Sequence, residues 1–269
     1  MEKGRLLMEE NSGKTKKKKN IWQILTVVFA GIFVFCCLMA GLSLLQAKQE
    51  QAAFSELARS LPEKQNPAAD ERAQDEAEAR MAALGRLQEE NPDFTAWLTL
   101  PGAGLDYPVM YTPDEPEYYL HRAFDGSYAA SGTPFLGANC DIDSDCCIIY
   151  GHNMKNGSMF GNLDKYLEKS FWQDNPVFDL DTAAELREYR IFAVVRCRLL
   201  NQDEAGFRYY QSAGDLSDED FARLCGWLMT NSLYDTKVTP TSDQQIVILS
   251  TCSYHTDNGR FIVAGCREQ

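Results

Sequence analysis

The chain has 269 residues, a length that suits a membrane segment and one good-sized domain. Its charge is uneven: residues 1–46 carry 7 Lys and Arg against 3 Asp and Glu, which leaves 19 basic and 36 acidic side chains in the rest. That balance of −17 is typical of a soluble, self-repelling surface. It argues against nucleic-acid binding, which requires a basic patch.

A membrane-spanning helix is predicted near the N-terminus. Ile24–Leu45 holds no charged residue, and its 22 positions reach roughly 33 Å as a helix, enough to cross a hydrocarbon core of about 30 Å. Five of the six residues at 14–19 are lysine, which places the N-terminus in the cytoplasm. We therefore predict a cytoplasmic basic tail at 1–20 and a single-pass anchor at 21–46 in the cell membrane, with the remainder extracellular. A cleavable signal peptide is the alternative, but its apolar region is usually shorter, about 7–15 residues.

Residues 47–90 are rich in Ala, Glu, Gln and Arg and are predicted to form a helical stalk and an N-terminal helix, interrupted by Pro62 and Pro67. For residues 47–66 the sequence leaves open whether the helix packs on the following domain or stands in solvent. From Asp70 to Glu90, apolar side chains recur at helical spacing, which indicates an amphipathic helix packed on the domain. These side chains are Ala73, Ala77, Met81, Leu84 and Leu87.

From Asn91 onward, short apolar runs alternate with turn residues. About eight strands with few helices predict a compact β-barrel or sandwich over residues 91–269. Two helices interrupt the strands, one near Met159–Phe171 and one at Ser217–Ser232, where Ser217 is the expected N-cap. The predicted strands are Trp97–Leu100, Leu105–Tyr111, Phe135–Ala138, Cys146–Tyr150, Val177–Leu180, Leu186–Leu200, Gln245–Thr251 and Arg260–Gly265.

Three histidines, His121, His152 and His255, limit the choice of a catalytic base. His152 follows a buried apolar strand, and Cys252 ends another, so both lie where rigid elements open into loops. A neighbouring imidazole favours the thiolate form of a cysteine, which is the nucleophile. His121 and His255 belong to no motif and are interpreted as surface or structural residues.

Arg260 lies eight residues after Cys252, beyond the turn signal Asp257–Gly259. If these residues form a hairpin, Arg260 begins the returning strand beside the cysteine. Its permanently charged guanidinium could then stabilise a tetrahedral oxyanion. From the residues alone, however, a cysteine at a strand end is more often a buried small side chain, and an isolated histidine is more often structural.

The nine cysteines, Cys252 among them, form no metal pattern and do not specify a disulfide pairing. Cys36 and Cys37 lie in the membrane run, and seven others follow, an odd number that cannot pair completely within the chain. No CxxC pair and no calcium loop occurs, so no cofactor or metal is predicted. Most of these cysteines are interpreted as small buried side chains.

Several motifs resemble the sortase family. Ile248–Cys252 followed by Arg260 is similar to the sortase signature, a Leu-x-Thr-Cys strand with an arginine on the next strand. Tyr150–Phe160 resembles the histidine block of class B sortases. The similarity runs from about residue 85 to the C-terminus, and further blocks match in order: Asn91–Leu98, Tyr107–Val109 and Tyr119–Leu120.

Two positions depart from the family pattern. Ile248 stands where the family usually has Thr, a change within the strand that should not affect the chemistry. Pro116 stands where class B members often have an Asn that helps to hold the substrate, so the resemblance does not specify the sorting motif.

The resemblance implies an eight-stranded sortase-type β-barrel with added helices (N-terminal helices and one before the cysteine strand), preceded by one transmembrane helix. It implies that Cys252 attacks the carbonyl of a Thr in a C-terminal sorting signal, with His152 as proton partner and Arg260 at the oxyanion. Either a thiolate–imidazolium pair or a neutral pair fits the sequence. Substrate contacts are expected at Leu120, Tyr150, Ser250 and Thr251, with Tyr150 also supporting His152.

The implied partners are secreted proteins that bear a sorting signal and an amine of peptidoglycan, to which the acyl group passes for cell-wall anchoring. A pilin lysine is an alternative acceptor, which would make the chain a pilin-polymerising sortase. A hydrolytic cysteine protease of the same fold would share Cys252 and His152 but release an acid. A non-catalytic adhesin that keeps only the barrel is the alternative outside enzymes.

Overall fold

The computed structural model describes residues 2–62 and 71–268, which divide into two compact units between Gln49 and Glu50. The first unit is helical: helix α1 (Glu2–Arg59) begins there and continues into the second unit. Among the described residues, one helical stretch, which begins at Leu25, is long and apolar enough to cross a membrane. Its apolar side chains are exposed, as a lipid-facing helix requires. The sequence predicts the anchor at this place.

In the second unit, the C-terminal part of α1 packs on the barrel and does not stand in solvent. Phe54 is buried, and its ring meets the ring of Tyr107 edge-on with centroids 5.5 Å apart. Glu50, one turn earlier, accepts a hydrogen bond from the Ser131 hydroxyl at 2.7 Å. The question that the sequence left open is therefore settled for residues 50–59.

Helix α2 (Glu71–Glu90) lies where the amphipathic pattern predicts it and buries Leu84 and Leu87 against the barrel. Arg80 on this helix donates to Asp181 at 2.7 Å, and both side chains are buried. Because an unpaired buried charge is costly, this pair fixes how the helix sits on the sheet. The predicted Pro67 interruption and the predicted first residue, Asp70, lie outside the described residues.

Eight strands form a closed barrel in the order β1-β2-β3-β4-β7-β8-β6-β5. This confirms the predicted eight strands and decides for a barrel over a sandwich. Alternate side chains of the strands fill the interior, including Leu98, Tyr107, Ile149 and Val263. The strands are β1 (Phe94–Leu100), β2 (Leu105–Met110), β3 (Phe135–Leu136), β4 (Cys146–Tyr150), β5 (Val177–Asp181), β6 (Glu188–Arg198), β7 (Ile246–Cys252) and β8 (Gly259–Arg267).

Strands β4 and β7 are neighbours in the barrel and run parallel to each other. Their register runs from Cys146 opposite Ile246 to Tyr150 opposite Ser250. Parallel neighbours need a long crossover, and here the chain between them contains β5, β6 and two helices. Both strands consequently point their C-terminal ends to the same edge of the barrel.

The prediction of a single helix near Met159–Phe171 is wrong. The chain instead forms a 3-10 helix at Gly161–Leu167 and then a short helix α3 (Lys169–Asp174), separated by Glu168 in an extended conformation. Burial of Leu163 and Tyr166 against the barrel core explains the break, because tertiary contacts override helix propensity.

The helix predicted before the cysteine strand is confirmed as α4 (Asp218–Thr230). Ser217 is its N-cap, and the serine hydroxyl accepts from the Asp220 backbone N–H at 3.2 Å. The helix buries Leu224 and Leu228 in a second cluster, on the outer side of β6, β7 and β8.

Candidate active site

A cleft opens where β4 and β7 end side by side. His152 lies two residues beyond β4, and Cys252 is the last residue of β7. The parallel register brings these two ends together although the residues are one hundred positions apart in sequence. The ends of β4 and β7 therefore place one side chain each, His152 and Cys252, in the cleft.

Arg260 reaches the same cleft through the β7–β8 hairpin. Cys252 and Arg260 are directly opposite in the antiparallel register, so their side chains lie on the same face of the sheet. The connecting loop closes through Asn258, which has a φ of 54°, and through Gly259. A Cβ at Gly259 would lie 2.1 Å from the Ser253 carbonyl oxygen, so this position requires glycine.

The guanidinium of Arg260 is available for a ligand. Its Nη1 donates to the Gly259 carbonyl at 3.0 Å. Within residues 2–62 and 71–268, no carboxylate forms an ion pair with it. Arginine carries five N–H donors, so several remain free to point at a developing negative charge.

The cleft is a cavity of about 570 Å³, in the range of small-ligand and peptide-side-chain sites. All seven site residues predicted from the sequence line it: Leu120, Tyr150, His152, Ser250, Thr251, Cys252 and Arg260. Among the lining residues, Glu117 carries the one carboxylate and Arg260 the one guanidinium. The described part of the chain contains no group of three or more His, Cys, Asp or Glu placed to hold a metal ion.

His152 is half-buried and oriented by the backbone. Its Nε2 lies 2.9 Å from the Leu120 carbonyl oxygen. A carbonyl only accepts, so Nε2 carries the hydrogen and the neutral ring keeps its lone pair on Nδ1. Burial lowers the pKa of His152, the hydrogen bond to Leu120 raises it, and the charge of His121 lowers it further. The net direction is downward, which leaves the imidazole neutral and able to accept a proton at neutral pH.

Cys252 differs from the other cysteines of the second unit in its exposure. Its side chain is open to solvent, whereas Cys140, Cys146, Cys147, Cys225 and Cys266 are buried and Cys197 is partly buried. The Asn153 amide, just after His152, donates to the Cys252 carbonyl at 2.8 Å. This bond ties the loop that carries the histidine to the residue that carries the thiol.

The four predicted substrate contacts fall into two kinds. Ser250 and Thr251 are buried, and their hydroxyls are already engaged, Ser250 with the Tyr209 hydroxyl at 2.9 Å and Thr251 with the Gly151 carbonyl at 2.7 Å. They hold the walls of the cavity together. Leu120 and Tyr150 are partly exposed and can meet a ligand directly. The ring of Tyr150 contacts Phe135, with centroids 5.9 Å apart.

Sequence reasoning missed one wall of the cavity. Tyr209, Tyr210 and Ala213, from the segment between β6 and α4, line the cavity there. A pair of adjacent tyrosines in a segment outside every predicted strand and helix is the signal that could have identified this wall. It also missed Asn153 and the contact that His121 makes with His152, with ring centroids 5.2 Å apart.

Comparison with known proteins identifies the family of the chain. The family model described as Sortase domain matches residues 98–268. Sortase B of Listeria monocytogenes is 31% identical over 255 residues, which cover 93% of this chain and 98% of that protein.

Solved structures show the same fold. Sortase B from Bacillus anthracis in complex with AAEK1 has a TM-score of 0.66 at 25% identity, covering 84% of this chain and 99% of that one. The Staphylococcus aureus sortase B–substrate complex has a TM-score of 0.68 at 21% identity, with the same coverage. The chain therefore belongs to the sortase family of cysteine transpeptidases and is similar to its class B members.

Proposed function

We propose that the chain is a membrane-anchored sortase that cleaves a C-terminal sorting signal of secreted proteins after a threonine and transfers the acyl group to an amine of peptidoglycan. The observation that carries the proposal is one cavity lined by an exposed thiol, an oriented imidazole and a guanidinium without a carboxylate partner among the described residues. Sortases act on sorting signals and amine acceptors, and the threonine, the acceptor and the membrane location belong to the proposal.

In the first half of the reaction, the sulfur of Cys252 attacks the carbonyl carbon of the threonine. The thiol proton passes to Nδ1 of His152, which holds the free lone pair because Nε2 is committed to Leu120. The carbonyl oxygen becomes an oxyanion, and Arg260, which neighbours Cys252 across the hairpin, donates hydrogen bonds to it.

The intermediate then collapses. The carbon–nitrogen bond breaks, His152 returns its proton to the leaving amine, and the threonine remains on Cys252 as a thioester. An acceptor amine attacks this thioester and gives up a proton to His152, a new amide bond forms, and the thiolate leaves and takes that proton back. A thioester keeps the acyl group activated while the second substrate arrives.

We propose that the apolar N-terminal helix tethers the catalytic domain to the cell membrane. The sequence carries five lysines before the apolar stretch that begins at Leu25, which favours a cytoplasmic N-terminus and an extracellular catalytic domain. Protease added to intact protoplasts tests the orientation. The catalytic domain should be digested while the lysine-rich tail is protected, and a protected catalytic domain would reverse the assignment.

The chemistry is tested with the full chain in detergent, a panel of peptides with threonine-containing sorting signals from the same genome, and a peptidoglycan-stem amine. We expect an amide product by mass spectrometry that requires both the amine and Cys252. Release of acid alone under every amine would indicate a hydrolytic protease. Turnover that survives in the Cys252→Ala variant would contradict the proposed nucleophile.

A pilin lysine replaces the stem amine in a parallel reaction. Preference for the lysine peptide, measured as the ratio of the two amide products, would move the assignment from wall anchoring to pilin polymerisation. The two reactions share the thioester, so the comparison isolates the acceptor step.

A further inference from the structure

His121 lies directly against the proposed catalytic imidazole. The rings of His121 and His152 are stacked, with centroids 5.2 Å apart and planes inclined by 24°. This spacing is within the range of favourable ring–ring contacts. His121 is exposed and is not among the residues that line the cavity, so it covers the face of His152 from outside the cleft.

The segment that supplies this ring also holds the edge of His152. Leu120 accepts the hydrogen bond from Nε2, and His121 is the next residue, at the end of the 3-10 helix Tyr118–His121. Two consecutive residues therefore contact the imidazole on two sides. One fixes the tautomer, and the other restricts tilting of the ring out of its plane.

Buried contacts hold the 3-10 helix Tyr118–His121 in place. Tyr119 is buried, and its hydroxyl accepts from Asn91 and donates to Asp93, both at 2.9 Å. A Cβ at Gly132 would lie 2.3 Å from the Leu120 carbonyl oxygen, and Gly132 has a φ of 60°. The His121 carbonyl accepts from the Ala129 backbone N–H at 3.1 Å. The position of the His121 backbone is thus set by the fold and does not depend on the ring contact.

The contact also has an electrostatic side. Of the ionisable groups near His152, His121 is the one whose charge contributes to lowering the pKa of His152, in addition to the larger effect of burial. A second positive charge this close opposes protonation of the first ring. The other ionisable groups that line the cleft are Glu117 before the 3-10 helix, Tyr150 on β4, Tyr209 and Tyr210 between β6 and α4, Cys252 on β7 and Arg260 on β8.

We propose that His121 is a positioning residue for acyl transfer: its ring, stacked on the His152 imidazole, keeps that imidazole in the orientation set by Leu120. The inference rests on the proposed role of His152 as proton carrier. It adds a second histidine to the machinery, at a position that no sortase motif in this sequence includes.

The test uses two substitutions at one exposed position. His121→Phe keeps a flat ring and removes the charge, whereas His121→Ala removes both. The chain contains three histidines, so imidazole NMR of the full chain in detergent can follow each of them. In a Cys252→Ala background, which removes titration of the neighbouring thiol, we expect the midpoint of His152 to rise by about 0.5 pH unit in both variants. This is the size expected for two unit charges about 5 Å apart in water.

Turnover separates the role of the ring from that of the charge. At neutral pH, with Cys252 restored, kcat should fall by about threefold or less in His121→Phe and by roughly tenfold in His121→Ala, because a loosely held base loses its reactive geometry. An equal fall in both variants would contradict the orienting role of the ring. About 1 M salt should shrink the midpoint difference between wild type and His121→Phe, since screening weakens an exposed charge.

His255→Phe is the matched control. His255 is the other exposed histidine, in the β7–β8 loop, where its Nδ1 bonds to the Ser253 hydroxyl at 2.8 Å. Its loss should leave the His152 midpoint in place. A His152 midpoint that is the same in wild type, His121→Phe and His121→Ala would contradict the contact between the two rings and overturn the proposal. NMR titration needs no turnover, so this result is independent of whether the transpeptidation assay succeeds.

Discussion

Both ends of the β4–β7 pair carry cysteines, which are buried at one end and exposed at the other. At the first end, Cys146 and Cys147 are buried, and burial is the main cause that raises the pKa of the Cys146 thiol far above its ordinary value. At the other end, Cys252 is exposed beside His152 and Arg260. The chemistry therefore follows from which end of the strands a thiol occupies, and the number of cysteines in the chain says little about it.

The strongest test of this comparison removes one thiol from each end. Cys252→Ala should lower transpeptidation by roughly 10⁴-fold or more, because no other group can form the thioester. Cys146→Ala should leave kcat/KM within about twofold and affect only packing. Both are measured with the same peptide and amine. A large loss of turnover in Cys146→Ala would place catalytic importance at the wrong end of the strands.

Strand β8 offers a matched pair of arginines. Arg260→Lys keeps the charge but loses the planar set of donors, so turnover should fall by roughly 10²-fold, as for loss of an oxyanion donor. Arg267, at the opposite end of β8, pairs with Glu185, and Arg267→Lys should change turnover by less than about twofold. A rate for Arg260→Lys within a few-fold of wild type would remove Arg260 from the catalytic set.

Alkylation compares the thiols directly. Under native conditions iodoacetamide should modify Cys252 at least about tenfold faster than Cys146 or Cys147, because a buried thiol with a raised pKa supplies little thiolate. Peptide mapping by mass spectrometry gives the three rates. After unfolding, the rates should converge, and fast native labelling of Cys146 would show that this end of the barrel opens.

The acid limb of the pH profile depends on His152. Burial, the largest cause, lowers its pKa below the ordinary value of about 6.5, so the ring stays neutral on mild acidification. We expect kcat/KM to hold on mild acidification and to fall only below the ordinary pKa of an imidazole, because the neutral ring is the proton acceptor. A limb centred above pH 7 would indicate a raised pKa and contradict the burial effect.

A substitution at Gln245 tests whether the end of the β4–β7 pair near Cys146 contributes to stability alone. Just before β7, its amide donates to the carbonyls of Ile142 and Ser144, at 2.9 and 2.8 Å. Its side-chain oxygen also accepts from the Tyr189 hydroxyl. Gln245→Ala should lower the free energy of unfolding by about 3 kcal/mol, for three lost hydrogen bonds of about 1 kcal/mol each. Thermal unfolding in detergent measures the loss, and kcat should stay unchanged. Loss of activity without loss of stability would contradict the claim that only the Cys252 end of the pair takes part in catalysis.

The sequence predicted the local parts of this arrangement well. β4 begins and ends at the predicted Cys146 and Tyr150, because a short apolar run bounded by turn residues has few alternatives. The Asp-Asn-Gly signal predicted the hairpin that places Arg260 opposite Cys252. The N-cap at Ser217 was likewise readable, since the interaction spans only three residues.

The features that could not be predicted from the sequence depend on contacts between distant segments. Periodicity does not state that β4 pairs with β7 in parallel, because the register is set by the whole barrel. The expected helix near Met159–Phe171 divides because Leu163 and Tyr166 are drawn into the core. His121 was interpreted as a surface or structural residue for the same reason: its contact with His152 joins residues that share no motif.

The position of β7 between β4 and β8 also determines when activity can begin. In chain order, β7 and β8 are the last two of the eight strands, and β7 fills an interior place in the barrel. Until it enters, β4 has an open edge, and the thiol has neither its histidine nor its arginine as a neighbour. Such non-local pairing is slow to form, because loop-closure entropy opposes it. A chain that emerges from its N-terminus onward thus acquires a competent nucleophile only after nearly the whole domain is present, which guards a reactive sulfur against premature acylation.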